Sequence, residues 1–183
     1  IPSDATTNAT IPLLSKWRKE SSAIKYQFDL SLSSSFASLV ILDSTLTDTL
    51  KSISALTLNT NYYWRVRAKN TAGWGPFSSI WSFTTWDIPT SVQLDMPSDS
   101  SFSLLIPIVC RWHTVQDAIN YKFELSSDYS FSTIAISDST IIDSALTIPN
   151  LSGGYYYWRV SAKNPAGWGP TSLVRMFSVL GIP

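Results

Sequence analysis

The chain is written twice. Trp17 recurs as Trp112, Tyr26 as Tyr121, Phe28 as Phe123, Phe36 as Phe131 and Asp43 as Asp138, each pair 95 residues apart. Further on, Trp64 pairs with Trp158, Asn70 with Asn164, Trp74 with Trp168 and Phe83 with Phe177, at a spacing of 94. One residue has been lost between Leu56/Leu151 and Tyr62/Tyr156, where residues 57–61 (Thr-Leu-Asn-Thr-Asn) face residues 152–155 (Ser-Gly-Gly-Tyr). Deletions settle in loops, so this spot reads as a turn. A unit of about 95 residues is too long for a solenoid repeat and suits a small sandwich, so each copy is expected to close its own core.

The boundary falls in Trp86-Asp87-Ile88-Pro89-Thr90, where Pro89 cannot donate to a strand ladder. This predicts domains over residues 1–87 and 88–183, joined by a short linker without Gly. Pro2-Ser3-Asp4 aligns with Pro97-Ser98-Asp99, yet residues 89–95 have no counterpart before Ile1. Ile182-Pro183 aligns with Ile88-Pro89. The first strand of the first domain is therefore expected to be incomplete. Three readings stay open: a window from a longer array, a subunit whose first strand a neighbour completes, or simple loss of the ends. The chain does not begin with Met and shows no signal peptide, which reads as processing or excision from a longer chain.

Strand signals dominate both copies. Tyr26-Gln-Phe-Asp-Leu30 and Tyr121-Lys-Phe-Glu-Leu125 alternate apolar and polar residues, the period of a strand with one buried face. In residues 62–68 (Tyr-Tyr-Trp-Arg-Val-Arg-Ala), Tyr62, Trp64, Val66 and Ala68 point inward while Tyr63, Arg65 and Arg67 point outward, and residues 156–162 repeat the pattern. Asn70–Pro76 and Asn164–Pro170 are turn-rich. No stretch of ten residues keeps a helical period. About seven short strands per copy give an all-β chain of two consecutive antiparallel sandwiches.

At these residues the sequence resembles the fibronectin type III family. The first copy carries the family pattern as Trp17, Tyr26, Leu56, Tyr62, Trp64, Val66, Ala68, Asn70 and Gly73; the second carries it as Trp112, Tyr121, Leu151, Tyr156, Trp158, Val160, Ala162, Asn164 and Gly167. The Tyr-Tyr-Trp-Arg-Val strand and the closing Trp81-Ser-Phe-Thr84 are similar to versions found in bacterial secreted and surface proteins. The resemblance implies seven-stranded immunoglobulin-like folds. Two departures stand out. Leu58 replaces the usual Pro two residues after the corner Leu, and the second corner is one residue tighter, so Tyr156 is expected to find a different backbone partner from Tyr62. The rings of Trp17, Tyr26, Tyr62 and Trp64, and of Trp112, Tyr121, Tyr156 and Trp158, are expected in the two cores, with Trp17 meeting Trp64 and Trp112 meeting Trp158 between the sheets.

Composition limits the function. Lys+Arg and Asp+Glu both number 13, giving a formal net charge of zero, and charged residues are only 14 % against about 25 % in an average protein. No cationic surplus exists to neutralise phosphates, which argues against nucleic acid and anionic membrane as partners. No apolar run approaches the ~20 residues of a membrane helix. The polar surface is hydroxyl instead, with 31 Ser and 17 Thr.

Catalytic constellations are not visible. The one histidine, His113, follows Trp112 and points outward; Cys110 is a lone thiol expected to be buried and inert. No paired carboxylates, metal-ligand spacing or phosphate loop is present, so no catalytic residue, metal or cofactor is expected. Asp43 and Asp138, each followed by Ser, read as loop caps rather than a calcium site.

The candidate contact residues are Trp74 and Trp168, each between glycines. An indole there can stack on a sugar or bury against another domain; the competing reading folds it back over Pro76 or Pro170 and its own sheet edge. Asn8-Ala-Thr10 and Asn150-Leu-Ser152 match the N-glycosylation pattern. Residues 1–88 hold 8 Lys/Arg and 6 Asp/Glu, and residues 89–183 hold 5 and 7, so the halves carry +2 and −2. Opposite signs favour head-to-tail association between copies. The expected function is a non-catalytic, secreted or cell-surface structural protein: a tandem spacer, stalk or filament subunit that binds protein, copies of itself included. The alternative is a carbohydrate-binding or spacer module of a secreted hydrolase.

Overall fold

The computed structural model describes residues 2–181; Ile1, Ile182 and Pro183, on which the reading of the chain ends turned, lie outside them. The described residues hold strands and no helix, and none therefore offers a helix long and apolar enough to cross a membrane. The chain divides into two compact units, Ile1–Asp87 and Ile88–Pro183.

Unit 1 contains β1 (Thr6–Ala9), β2 (Leu13–Lys16), β3 (Lys25–Ser31), β4 (Ile41–Leu46), β5 (Leu50–Ile53), β6 (Asn61–Asn70), β7 (Gly73–Trp74) and β8 (Trp81–Thr85). One sheet has the order β1-β8-β6-β3-β4, with β7 on β6; the other is β2-β5. Unit 2 contains β9 (Leu94–Met96), β10 (Ser101–Leu104), β11 (Ile108–Trp112), β12 (Asn120–Ser126), β13 (Ile134–Ile141), β14 (Ala145–Ile148), β15 (Gly154–Asn164), β16 (Gly167–Trp168) and β17 (Arg175–Val179). Its sheets are β10-β17-β15-β12-β13, with β16 on β15, and β14-β11-β9. Both units are all-β sandwiches. The expected seven strands become eight and nine because a two-residue strand curls back after β6 and β15, and because the opening strand of unit 2 is split into β9 and β10.

The alternation along β6 builds the core. Tyr62, Trp64 and Val66 are buried against Phe28, Leu30 and Phe83, and Trp158, Val160 and Ala162 do the same in unit 2 against Phe123, Leu125 and Phe177. β3 departs from one-sided burial: Gln27 and Asp29 on its outer face are as buried as Phe28 and Leu30. The reason is a second layer of side chains from β6, where Arg65 bonds Asp29 and Arg67 bonds Gln27. The edge strands β1 and β10 pair in parallel with β8 and β17, and each carries a bulge. Two residues there (7 and 8, or 102 and 103) oppose one, and Asn8 (φ 58°) and Ser103 (φ 54°) take the left-handed conformation that absorbs the extra residue.

β9 pairs with β11 in unit 2; in unit 1, among the described residues, β2 pairs with β5.

Candidate functional site

The core aromatics stack through an intermediary. Phe28 stands between Trp17 and Trp64, with centroid distances of 6.1 and 5.7 Å, and Phe123 stands between Trp112 and Trp158 at 6.2 and 5.8 Å. The direct Trp–Trp meeting expected from the sequence is thus corrected: the Phe at the centre of β3 or β12 points into the gap. Tyr26 and Tyr121 lie edge-on to Trp17 and Trp112, and their hydroxyls accept from the N–H of Glu20 and Val115, each at 2.9 Å. Trp158 is fully buried and Trp64, Trp112, Tyr62 and Tyr121 nearly so, while Trp17 and Tyr156 are half-buried.

The two tyrosine corners differ. The Tyr62 hydroxyl accepts from Thr57 N–H at 2.9 Å. In the shortened second corner the Tyr156 hydroxyl donates to Ser152 C=O at 3.1 Å.

Trp74 and Trp168 are not loop tips. Each sits on a two-residue strand paired with β6 or β15, at Lys69↔Trp74 and Lys163↔Trp168. Trp74 is half-buried and Trp168 is 37 % exposed. Cations cover the rings: Arg67 and Lys69 lie 5.0 and 5.6 Å from the Trp74 centroid, and Lys163 lies 5.4 Å from that of Trp168.

In unit 1 this contact belongs to a longer ladder that the alternation pattern did not reveal. The Arg65 guanidinium lies between Phe36 (4.1 Å) and Phe77 (3.8 Å), and Arg67 lies between Phe77 (4.6 Å) and Trp74. Beneath it Arg65 pairs with the buried carboxylate of Asp29 at 3.1 Å, and Arg67 donates twice to Gln27 Oε1. Gln27 Nε2 in turn donates to Asp29. These bonds satisfy the polar groups buried on the outer face of β3. Unit 2 keeps only part of it. Arg159 covers Phe131 at 4.0 Å and bonds Glu124 at 2.7 Å, but Ser161 and Thr171 replace Arg67 and Phe77. Burial works to raise the Glu124 pKa, but bonds from Lys122 and Arg159 outweigh it and hold the carboxyl below its usual range.

The remaining titratable groups are dispersed. His113 is exposed just past β11. Cys110 is fully buried, and burial pushes its thiol up to about 12, so no nucleophilic thiolate forms near neutral pH. The Asp43 carboxylate is held at about 2 by Lys51 at 2.7 Å and by the Thr45 hydroxyl and N–H. Asp138 is lowered in the same way by Thr140 N–H and hydroxyl. Among the described residues no three His, Cys, Asp or Glu gather as a metal ion would need. Asn8 and Asn150, which carry the glycosylation patterns, are both exposed.

Exposed apolar side chains are the other surface feature. Phe102, Leu105, Ile106 and Val109 are 60, 72, 38 and 37 % exposed along one short segment of unit 2.

No family model matches the chain. Among solved structures similar to it is a crystal structure of chicken CNTN1 FN1-FN3 domains, 20 % identical, with a TM-score of 0.40 over 97 % of this chain and 63 % of that one. The chain thus spans less than two thirds of that structure's length. By its own strand order each unit is an all-β sandwich of the kind the sequence resemblance implies, a six-stranded sheet against a smaller one, with the first strand shared between sheets in unit 2.

Proposed function

We propose that the chain is a non-catalytic structural protein of the cell exterior, secreted or surface-bound, acting as a tandem spacer, stalk or filament subunit through protein–protein association that includes copies of itself. The observation that supports this best is the set of exposed apolar side chains Phe102, Leu105, Ile106 and Val109 along one short segment of a chain with few charges. Apolar exposure of this kind favours association, and sparse charge leaves little repulsion to oppose contact between chains. The engaged states of Cys110, Asp43 and Glu124 fit the same reading, since each is spent on packing or on a structural bond.

Light scattering and electron microscopy on the purified chain test this. The expected result is a mass rising with concentration above the 20.3 kDa of one chain, and a fall toward that mass in the Phe102→Ser, Leu105→Ser double variant. A monodisperse monomer at high concentration removes self-assembly and leaves the spacer.

The second reading, a carbohydrate-binding accessory module, draws on Trp168, whose ring is partly exposed. Absence of binding on a glycan array would remove this reading, and binding that survives Trp168→Ala and Trp74→Ala would remove the stacking role of the two indoles.

A further inference from the structure

The asparagines of the chain stand at positions 8, 59, 61, 70, 120, 150 and 164. Most of them are held by their side chains. Asn59 Nδ2 donates to Asp87, Asn120 Nδ2 donates to Ser139 C=O, and Asn61 Oδ1 accepts from the Thr84 hydroxyl. Asn70 and Asn164 fold over the turns after β6 and β15, where their Oδ1 atoms accept from the N–H of Ala72 and Ala166. Asn8 and Asn150 are left over. Both are exposed, and among the described residues no group bonds either side-chain amide. These same two asparagines carry a hydroxyl two residues on with no Pro between, in Asn8-Ala-Thr10 and Asn150-Leu-Ser152. The hydroxyls of Thr10 and Ser152 are likewise exposed and unengaged among the described residues; Tyr156 bonds the Ser152 carbonyl, not its hydroxyl.

The repeat shows that neither amide is needed by the fold. Asn8 lies in the bulge of β1, the outer strand of its sheet. Its counterpart Ser103 takes the same left-handed conformation, φ 54° against 58°, so the bulge does not demand an amide. Ser103 and Leu105, which match Asn8 and Thr10, are also exposed, with β9 packed on β11 ahead of them. The outward position therefore belongs to the bulged edge strand itself. Ala9, between Asn8 and Thr10, is 5 % exposed and anchors the segment in the core. Asn150 lies in the turn between β14 and β15, where its counterpart is Ala55. There Leu151 packs against the core and leaves Asn150 and Ser152 exposed on either side.

We infer that Asn8 and Asn150 are acceptor sites for N-linked glycans. The pattern of an asparagine, any residue but Pro, and Ser or Thr is the one this modification reads, and it is used where the segment is presented at the surface. The co-reactant is an oligosaccharide carried on a lipid diphosphate. Asn Nδ2 forms a bond to C1 of the first sugar, and the bond from C1 to the diphosphate oxygen breaks. The lipid diphosphate leaves with the bonding pair, and the amide gives up one proton. The inference rests on the exterior location of the proposed function and adds to it a covalent modification at two named atoms. On Asn8 the glycan covers the free edge of β1, and covering an edge is one of the ways a sheet is kept from pairing with other chains.

The test is secretion of the chain behind a cleavable leader from a eukaryotic host that carries the transferase. Intact-mass and peptide mass spectrometry are read before and after an amidase that cuts the glycan–asparagine bond and leaves Asp. The expected result is two glycans per chain, on Asn8 and Asn150, both released by the amidase with Asp at each position. Asn8→Gln and Thr10→Ala are each expected to remove the first glycan, and Asn150→Gln and Ser152→Ala the second, while Thr10→Ser keeps the first. Thr10→Ala leaves Asn8 in its left-handed position, and an unchanged Tm of the sugar-free variant separates loss of the glycan from loss of the fold. A folded, secreted chain without sugar, or glycan that persists in the Asn8→Gln, Asn150→Gln double variant, would overturn the inference. A glycan on one asparagine alone would overturn it for the other. The leader and host supply the compartment, so these outcomes do not depend on where the chain resides naturally. A monomer in light scattering counts against the self-association reading and leaves them standing.

Discussion

Trp17 and Trp112 hold the same place in the repeat and are not equally covered. Trp112 is 3 % exposed beneath a strand carrying Leu94; Trp17 is half-buried. Truncating a well-buried Trp costs about 3–5 kcal/mol through lost transfer energy and the cavity left behind, and the cost scales with burial. Trp112→Ala is therefore expected to fall in that range and Trp17→Ala below it, measured as shifts in the urea midpoints of the two units. The indole N–H groups of Trp17, Trp64, Trp112 and Trp158 have no hydrogen-bond partner, so these rings act through area. Trp158→Phe is expected to cost less than Trp158→Ala. Asp43 gives a pH dependence. Its carboxyl ionises more readily in the folded chain, at about 2 against 3.8. Its contribution is thus present above about pH 4 and is lost as pH falls through about 2. Asp43→Asn should flatten the fall in Tm over that window and leave Tm at pH 7 slightly lower. The ring positions were legible because inward residues recur every second place. The Phe36–Arg65–Phe77 sandwich was not: Phe77 sits in a loop, and Phe36 sits in a turn at φ 53°, where alternation says nothing about direction.

At the scale of the element, the single-residue deletion exchanges the roles at the tyrosine corner. Tyr62 supplies an acceptor to a backbone N–H in a partly buried turn, and removing it strands that donor. Tyr156 supplies a donor to an exposed carbonyl, which water can serve instead. An unsatisfied buried donor costs about 1–3 kcal/mol, while a bond replaced by water costs about 1 kcal/mol or less. Tyr62→Phe is expected to lower the stability of its unit by more than Tyr156→Phe does, a difference readable in the same urea transitions. That the second corner would differ was visible in the spacing; the reversal of donor and acceptor was not, since it depends on which backbone group faces the hydroxyl. The bulges of β1 and β10 were equally hidden, because Asn8 and Ser103 take a left-handed conformation without a glycine to announce it. The doubled burial of β3 was hidden for another reason: it comes from arginines on the neighbouring strand, where charge ordinarily signals a wet face.

For the molecule as a whole, the repeat made the all-β sandwich legible, since a unit of about 95 residues with alternating strands between turns suits that architecture and occurs twice. The charge split leads to a discriminating measurement at this scale. Head-to-tail association would set the +2 half of one chain against the −2 half of the next, through exposed charges whose reach shrinks from about 30 Å at 0.01 M ionic strength to about 3 Å at 1 M. Association through Phe102 and Leu105 responds in the opposite sense, because salting-out ions such as sulfate strengthen apolar burial. Sedimentation across a sodium chloride series and a sodium sulfate series separates the two. With the apolar side chains dominant, as proposed, the associated mass is expected to hold through the chloride series and grow in sulfate. A mass that falls toward the monomer by about 0.3 M chloride would assign the contact to the charges instead.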